Sequence, residues 1–463
     1  MDVGSIAEMG LKPLVSALSS VLFFDIGGFP LILLWLMVAA LFFTVYLRGV
    51  NFRLLPHSLR LITHKNTDDD GKGEVSQLQA FLSAISATVG LGSIAGVSVA
   101  VAVGGPGAIF WIVVMGLFSM ATKFAEVTLS LQYRKVDADG KVYGGPIQYL
   151  QDGLAEIGMP KLGKILAVVF AIFCLGGAIG GGNMFQSNQT VKIFAHEIPA
   201  LAEHSWVISA AFALLVGLVL FGSIKRIAKV AEAVAPLKGI VYLACTLIIV
   251  AVNIEALPSA LGLIFHEAFN ATAVKGGMLG MLIIAFKRAL FANEAGLGSA
   301  PIAHAAARVH EPAREGAIAL IEPLFAAFIA LLTGLMVVVT GAYQGASIED
   351  GVLIAAQAFA TVGGWFTIML AINVLLFAYG TTIGWSYYGE IAWVHLFGKR
   401  GVKGYYVLYT LACFIGGIAT FGVVMDLADL LILGCALPNI VALYLLRGKI
   451  RAEMKRYMAA HGL

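Results

Sequence analysis

The tetrapeptide GLGS occurs twice in this chain, each time in the middle of a long apolar segment. The first copy lies in SAISATVGLGSIAGVSVA at residues 83–100, and the second lies in ALFANEAGLGSAPIAHAAA at residues 289–307. A glycine inside a helix costs about 1 kcal/mol relative to alanine, so two glycines within three residues favour local unwinding. The pattern therefore predicts two helices that are broken near their middle.

The composition is typical of a membrane protein. Of the 463 residues, 60% are hydrophobic and 12% are charged, and the mean hydropathy is +0.91. Soluble domains are usually about 45–50% apolar and about 25% charged, so these values indicate an all-α polytopic membrane protein. The four cysteines lie inside apolar segments without paired spacing, which favours reduced packing residues. The acidic N-terminus lacks the basic start of a signal peptide.

Eleven apolar runs are long enough to cross the roughly 30 Å of hydrocarbon in a bilayer. They are predicted near residues 29–47, 77–104, 107–133, 162–187, 205–222, 236–253, 276–305, 315–343, 364–396, 405–425 and 427–446. Most of the 30 Lys and Arg are assigned to alternate connections on the side of the C-terminus, Lys238 among them, whereas the opposite side has only Lys12, Lys192 and Lys275. Because cytoplasmic loops carry the positive excess, we predict a multi-pass protein of the cell (inner) membrane with its N-terminus outside and its C-terminus in the cytoplasm.

The two GLGS copies fall in the second and seventh predicted crossings, which run in opposite directions. Two five-crossing units of opposite orientation, each starting with a glycine-interrupted helix, are typical of inverted-repeat secondary transporters. We therefore predict eleven transmembrane helices as a five-plus-five inverted repeat with two broken helices, plus one extra N-terminal helix. The predicted parts are an N-terminal helix with a cytoplasmic loop at 1–76, a first repeat at 77–253, a second repeat at 276–446 and a basic cytoplasmic tail at 447–463.

Broken helices in a membrane expose backbone groups that can bind a solute. The N–H groups at the start of one half-helix attract a carboxylate, and the C=O groups at the end of the other attract an ammonium group or a sodium ion. Small residues around the first break leave room for a small solute, namely Ser86, Ala87, Thr88, Ser93 and Ala95. The alternative is that the glycines only permit close helix packing.

Ionisable residues inside the predicted crossings are functional candidates, because a charge near the bilayer centre costs about 2.5–3.5 kcal/mol. Glu294, just before the second GLGS, is interpreted either as a partner of the substrate amine or as an acceptor for unwound backbone. Lys123 and Glu126 are interpreted as a structural pair, and Glu322 and Glu390 are given a similar structural role. Lys287 and Arg288, just before the second break, are interpreted as a gate or an outer-vestibule pair.

A possible cation site lies in the ninth predicted crossing, in FAYGTTIGWSYYGE. Spacings of three and four along a helix place the carbonyl of Ala378 beside the hydroxyls of Thr381 and Thr382. Hard oxygen ligands of this kind suit sodium. The alternative is that both hydroxyls bond only to their own helix.

Six motifs follow one another along the chain: ATVGLGSIAGV, GGPGAIFW, MATKFAE, GGNMFQSNQ, FANEAGLGSAPIAHAAA and TIGWSYYGE. Together, over about residues 77–446, they resemble the alanine/glycine:cation symporter family (sodium:alanine symporters). The resemblance implies the inverted-repeat fold of sodium-coupled amino-acid transporters. It also implies sodium-driven uptake of a small neutral amino acid by alternating access, with alanine first and glycine or D-alanine as alternatives. The partners are then a small amino acid and the lipid bilayer, with no nucleic acid and no enzymatic activity.

The resemblance also implies where each solute binds. Sodium, as coupling ion and without any further cofactor, would lie between the carbonyls of Ser86 and Val89 and the group Ala378, Thr381 and Thr382. The substrate carboxylate would meet Thr88, Gly90, Gly92 and Ser93, and the substrate amine would face Ala292, Asn293 and Gly296. Gln186 would add a polar contact. Phe291 and Trp385 would limit the size of the substrate side chain. Glu294 and Glu126 are assigned either a coupling or a structural role.

Three positions depart from the family pattern. Ser93 stands where the family usually has Asn, and Ala292 stands where it usually has Ser. The segment EPLFAAFIALL lacks the acidic residue and Thr that usually follow EP. Losing several polar groups together indicates an altered substrate or coupling ion with the fold retained.

Other function classes are less consistent with this sequence. None of its three His-Glu pairs completes HExxH, and the chain has no Walker A motif, which argues against a zinc protease and an ATP-driven pump. A channel would need a continuous polar pore lining, whereas the polar groups cluster at two breaks. The alternative that stays open is a proton-coupled small amino-acid transporter, in which Glu294 would be the proton site.

Overall fold

The computed structural model describes residues 19–20, 22–63, 71, 73–138, 140–220, 224–270 and 277–463, without the side chains of 224–228. This part of the chain is mostly helical, as predicted. Lys12 and Lys275, which were assigned to the outer side, lie outside the described residues.

The main helices are numbered in chain order. The first ten are α1 (Leu31–Tyr46), α2 (Leu55–Thr63), α3 (Gln77–Thr88), α4 (Ala95–Gly104), α5 (Ala108–Tyr133), α6 (Pro160–Ile179), α7 (Phe185–Glu197), α8 (Ser205–Leu220), α9 (Ile224–Val252) and α10 (Leu257–Phe269). The second ten are α11 (Gly277–Asn293), α12 (Ala300–His304), α13 (Pro312–Ala319), α14 (Ile321–Val339), α15 (Val352–Ala360), α16 (Phe366–Phe397), α17 (Val402–Ile418), α18 (Phe421–Gly434), α19 (Ala436–Leu445) and α20 (Arg447–His461).

The described strands form two antiparallel hairpins. These are β1 (Asp25–Ile26) with β2 (Phe29–Pro30), and β3 (Lys135–Val136) with β4 (Val142–Tyr143). In addition, Val75 pairs with Ala307 in an isolated parallel bridge, and Arg308 N donates to Val75 O at 2.8 Å. This bridge ties the start of the first GLGS helix to the end of the second.

Within the described residues, seven helical segments are long and apolar enough to cross a membrane, or eight if one bent pair is a single crossing. The bent pair is the helix of the first GLGS. Two shorter apolar helices, Leu31–Tyr46 and Ser205–Leu220, coincide with two more of the predicted runs. The total of eleven crossings and the inverted repeat stay predictions.

Four of the numbered helices were not expected from the apolar runs. They are α2, α10, α15 and the C-terminal α20, and each is shorter or more polar than a crossing requires. The charge count also assigned Lys238 to a connection, and this was wrong, because Lys238 lies inside α9 with only 1% of its surface exposed.

Both predicted helix breaks are present. The first helix begins at a capping box, in which the Ser76 hydroxyl accepts from Gln79 N and the Gln79 side chain accepts from Ser76 N. It ends at Thr88, passes through a 3₁₀ turn at Leu91–Ser93 and continues as α4 with a bend of 54°. The second ends at Asn293 and resumes as α12 after six non-helical residues.

The two broken helices lie at the centre of the packing. Helix α3 packs against α9, α16 and α12, while α11 packs against α5 and α4. Residues around both breaks are fully buried. Unwound backbone is tolerated at membrane depth only where protein or a cavity surrounds it, and this burial meets that condition.

Candidate functional site: two facing helix breaks

The first break is shaped by glycines that leave space for neighbouring side chains. A Cβ on Gly90 would lie 2.6 Å from Thr381 Oγ1 and 3.1 Å from Gln186 Oε1. A Cβ on Gly92 would lie 2.6 Å from Phe291 Cδ1 and 3.7 Å from the backbone oxygen of Phe291. The structure therefore brings Gly90, Thr381 and Gln186 together, and it sets Gly92 against the end of the second broken helix.

Gln186 fixes the unwound backbone. Its Oε1 accepts a hydrogen bond from Leu91 N at 3.1 Å, and its Nε2 donates to Gly181 O at 3.0 Å. Gly181 belongs to a π-helical turn at Gly180–Met184 between α6 and α7. Such turns are frequent at functional sites. The polar contact expected from Gln186 is thus made with the chain itself.

The carbonyls at the end of α3 form an oxygen cradle. Ser86 O accepts from Thr381 Oγ1 at 3.1 Å, so two of the residues predicted to bind sodium are in contact. The ammonium of Lys238 also donates to Ser86 O at 3.0 Å and to Val89 O at 2.8 Å. A lysine therefore lies on the two backbone carbonyls that the family resemblance assigns to the ion.

Four buried hydroxyls, three of them on residues of the first break and one on α16, have no hydrogen-bond partner in the described structure. They belong to Ser86, Thr88, Ser93 and Thr382, all predicted site residues. Buried polar atoms normally find a partner, and unpaired ones cost roughly 1–3 kcal/mol each. The four hydroxyls are therefore available to a polar ligand. Ala378, one turn earlier than Thr382, is fully buried on the same helix.

The second break has a strained backbone. Glu294 adopts a positive φ of 53°, which is uncommon for any residue other than glycine, and Gly296 and Gly298 have φ values of 86° and 79°. Asn293 stabilises the turn, because its Oδ1 accepts from Ala295 N at 2.9 Å.

Glu294 is fully engaged by neighbouring donors. Its Oε1 accepts from Trp385 Nε1 at 3.0 Å, and its Oε2 accepts from Ser299 Oγ at 2.5 Å. The two interpretations of this residue stay predictions, because neither unwound backbone nor a substrate takes part in these two contacts. The contacts also place Trp385, which the resemblance assigned to the substrate pocket, between the second break and the π-helical turn, where it packs on Gly182.

Glu126 and Asn439 hold the second break from the other side. Asn439 Nδ2 donates to Gly296 O at 2.9 Å and to Glu126 Oε1 at 2.6 Å, while Glu126 Oε1 also accepts from Gly298 N at 3.0 Å. The interpretation of Glu126 as the partner of Lys123 was wrong, because the Lys123 ammonium lies 3.6 Å from Glu322 instead. Glu390 pairs with Lys141 at 2.6 Å.

Two of the departures from the family pattern meet at one place. Ala292 of α11 and Ala326, Ala327 and Ala330 of α14 line a narrow crevice beside α5, together with Asn293. Among these residues Asn293 is the one with a polar side chain, and its oxygen is already bonded to the turn. The crevice is therefore almost entirely apolar. Ser93, the third departure, lies at the first break.

A cavity of about 260 Å³ lies beyond Phe291, on the side of the predicted outer ends of α4 and α11. Lys287 and Arg288 line it and both pair with Asp429 of α18, the first at 2.8 Å. The Arg288 guanidinium also lies 5.3 Å from the Phe291 ring centroid. The gate or outer-vestibule role suggested for Lys287 and Arg288 stays a prediction.

Sequence reasoning missed Lys238, Asn439 and Asp429. Each lies inside a predicted apolar run, 236–253 or 427–446, and a polar residue within a crossing is a functional candidate by default. That rule, applied to every run, would have found all three.

The chain matches the family model of the sodium:alanine symporter family over residues 11–462. The sodium/alanine symporter AgcS of Methanococcus maripaludis is 37% identical over 432 residues, which cover 92% of this chain and 94% of AgcS. The amino-acid carrier protein AlsT of Bacillus subtilis is 31% identical over 420 residues, which cover 90% of this chain and 87% of AlsT.

A solved structure of MhsT in complex with L-phenylalanine shares the fold, with a TM-score of 0.60 at 15% identity over 83% of this chain and 93% of MhsT. The buried helix breaks, the apolar helices and the family match over nearly the whole length agree with one another. The chain is therefore a multi-pass membrane protein that belongs to the sodium:alanine symporter family.

Proposed function

We propose that this chain carries a small neutral amino acid into the cell together with a cation, by alternating access. Alanine is the first candidate substrate, with glycine and D-alanine as alternatives. The observation that carries the proposal is a set of four buried, unpartnered hydroxyls, those of Ser86, Thr88 and Ser93 at the first break and that of Thr382 on α16. A polar solute bound there would satisfy them.

The two ends of an amino acid fit the two breaks. The hydroxyls of Thr88 and Ser93 would donate to the carboxylate, beside the unwound backbone at Gly90 and Gly92. The amine would face the C-terminal end of α11 at Ala292 and Asn293 and the turn at Gly296, because the C-terminus of a helix carries partial negative charge. Phe291 and Trp385 would restrict the side chain to a small one.

The test is uptake of labelled alanine into proteoliposomes that contain the purified chain. We expect saturable uptake that excess unlabelled alanine or glycine suppresses and excess leucine does not. Uptake no greater than in protein-free liposomes would refute the substrate assignment. Thr88→Val keeps the shape of the side chain and removes its hydroxyl, and it should lower the apparent affinity.

The coupling ion has two candidates. Sodium is favoured by the name of the family and by that of the relative AgcS, a sodium/alanine symporter. Proton coupling is favoured by one observation, the ammonium of Lys238 on the two carbonyls of the predicted sodium site. Uptake should be compared under an inward sodium gradient, an equal potassium gradient and an inward proton gradient without sodium, at a fixed membrane potential. Accumulation with sodium alone would exclude proton coupling, and accumulation with the proton gradient alone would exclude sodium.

A further inference from the structure

We propose that the ammonium group of Lys238 is a tethered cation that takes the place of sodium at the first break, so that the chain binds no sodium ion in this cradle. The inference rests on the proposed function and specifies which ion that function requires: with Lys238 in the cradle, transport would not need a sodium ion at this place. The geometry of the cradle can be examined independently of any substrate.

The position of the ammonium is that of a bound ion. It donates to Ser86 O at 3.0 Å and to Val89 O at 2.8 Å, two carbonyls at the end of a half-helix. Carbonyls of unwound backbone and half-helix C-termini are the groups that coordinate coupling cations in broken-helix transporters. The Phe377 ring lies 4.8 Å from the same nitrogen, and Gly380 leaves space beside it, since a Cβ there would lie 3.4 Å away.

The charge of Lys238 is held by dipoles and not by an acid. Among the described residues no carboxylate forms an ion pair with it, and α3, which packs against α9, contains no titratable side chain. The acids of the helices packed around Lys238 bind other groups, as do the phenols of Tyr379 and Tyr242. On α14, Glu322 contacts His304 and Lys123; on α16, Tyr379 donates to Leu215 O and Glu390 pairs with Lys141; on α9 itself, Tyr242 bonds to Thr333 and Glu232 to Gln79.

A buried ammonium without an acidic partner is costly, so a purely structural role would be easier to fill with an apolar side chain. The free-energy cost of burying the ammonium is offset where the ammonium replaces a cation for which the carbonyls already form a binding site. A sodium ion on the same two carbonyls would lie against the ammonium and be repelled by it. The lysine and the ion are therefore mutually exclusive.

The alanine crevice supports the same conclusion from a different part of the molecule. Ala292, Ala326, Ala327 and Ala330 supply no side-chain oxygen, and the oxygen of Asn293 is bonded to Ala295 N. Hard cations need several oxygen ligands. Replacement of oxygen-bearing side chains by alanine at this place and occupation of the cradle by lysine both lower the capacity of the chain to bind sodium.

The first experiment measures melting temperature of the purified full chain in sodium chloride and in potassium chloride at equal ionic strength. We expect no difference for the wild type. Lys238→Met, which keeps an unbranched side chain and removes the charge, should gain a sodium-specific rise of about 2–4 °C, because an ion that binds only the folded state stabilises it. Lys229→Met makes the same chemical change at an exposed position of α9 and should gain nothing.

Two results would overturn the proposal. One is a sodium-specific rise in the wild type that the double substitution Thr381→Ala and Thr382→Ala removes, since sodium then binds beside the lysine. The other is a Lys238→Met variant as insensitive to sodium as the wild type. Should Lys238→Met not fold, Lys238→Gln is the replacement variant, and the wild-type comparison decides by itself.

Equilibrium binding of labelled alanine in the two salts separates this proposal from the proposed function. We expect equal affinity in sodium and potassium for the wild type, within about twofold, and an affinity at least about tenfold higher in sodium for Lys238→Met, equivalent to 1.4 kcal/mol. The role of Lys238 is contradicted if the wild type binds alanine only in sodium and the Thr381→Ala, Thr382→Ala double variant loses this binding. No binding in either salt contradicts the substrate assignment, and the melting temperatures then still decide on Lys238.

Discussion

The Oε1 of Glu126 accepts a hydrogen bond from the backbone N–H of Gly298 at 3.0 Å, across 172 residues of sequence. Asn439 donates to the same oxygen at 2.6 Å and to Gly296 O at 2.9 Å. The unwound turn after α11 is thus held by side chains from α5 and α19. Its shape depends on this acceptor as well as on its own glycines.

Removing the acceptor should destabilise the fold. In Glu126→Ala the N–H of Gly298 and the amide of Asn439 lose a buried partner, and the free energy of unfolding should fall by about 1–3 kcal/mol. Glu126→Gln retains an oxygen for both donors and places its amide where Oε2 has no partner, so it should remain close to wild type. Thermal or denaturant unfolding in detergent checks both. A drop in Glu126→Gln as large as in Glu126→Ala would show that the charge matters more than the hydrogen bonds.

The glycines of the second break should not tolerate a side chain. Gly296 and Gly298 have φ values of 86° and 79°, where alanine costs about 1–2 kcal/mol, and a Cβ on Gly298 would approach Asn439 Cγ to 3.1 Å. Gly296→Ala and Gly298→Ala should therefore lower the melting temperature and uptake. Gly262→Ala in α10 is the matched control, since no atom lies within 4 Å of its Cβ, and it should be neutral or stabilising. Equal behaviour of all three variants would argue against backbone strain as the cause.

Local residue patterns were enough to predict the breaks but not what fills them. Paired glycines in apolar runs predict unwinding. The first helix ends two residues before the first glycine of its GLGS, and the second helix ends three residues before. The contact of Lys238 with Ser86 depends on the position and rotation of α9 against α3, and the residue pattern of neither helix specifies these. The contacts of Asn439 and Asp429 could not be predicted for the same reason, because their partners lie on helices distant in sequence. Helices α10 and α20 were missed because a search for crossings discards segments that are short or polar.

Phe291 should set the upper limit on substrate size. Its ring lies against Gly92, Phe185 and the Arg288 guanidinium, between the first break and the cavity that Arg288 and Asp429 line. Phe291→Ala removes this wall, so leucine or phenylalanine should compete with alanine uptake in the variant and not in the wild type. Phe265→Ala removes an exposed ring on α10 and is the control. Unchanged competition in Phe291→Ala would place the substrate side chain elsewhere.

Asp429 should be needed to keep the vestibule charges in place. Arg288 is 2% exposed in its side chain and has Asp429 as its ion-pair partner, while Lys287 reaches the same carboxylate at 2.8 Å. Breaking a buried pair by removing one partner typically costs about 3–5 kcal/mol, because a charge is left uncompensated. Asp429→Asn should therefore destabilise the chain and reduce uptake strongly.

Asp426 provides the comparison that isolates the pairing. It lies one turn earlier on α18, lines the same cavity and is exposed, so Asp426→Asn removes the same charge without leaving a buried arginine unpaired. We expect its melting temperature to stay near that of the wild type. If the two substitutions reduce stability equally, the effect comes from the overall negative charge of the vestibule and not from the Arg288–Asp429 pair. Restoring stability in Asp429→Asn by adding Arg288→Met would confirm the pairing, because the uncompensated charge is then removed as well.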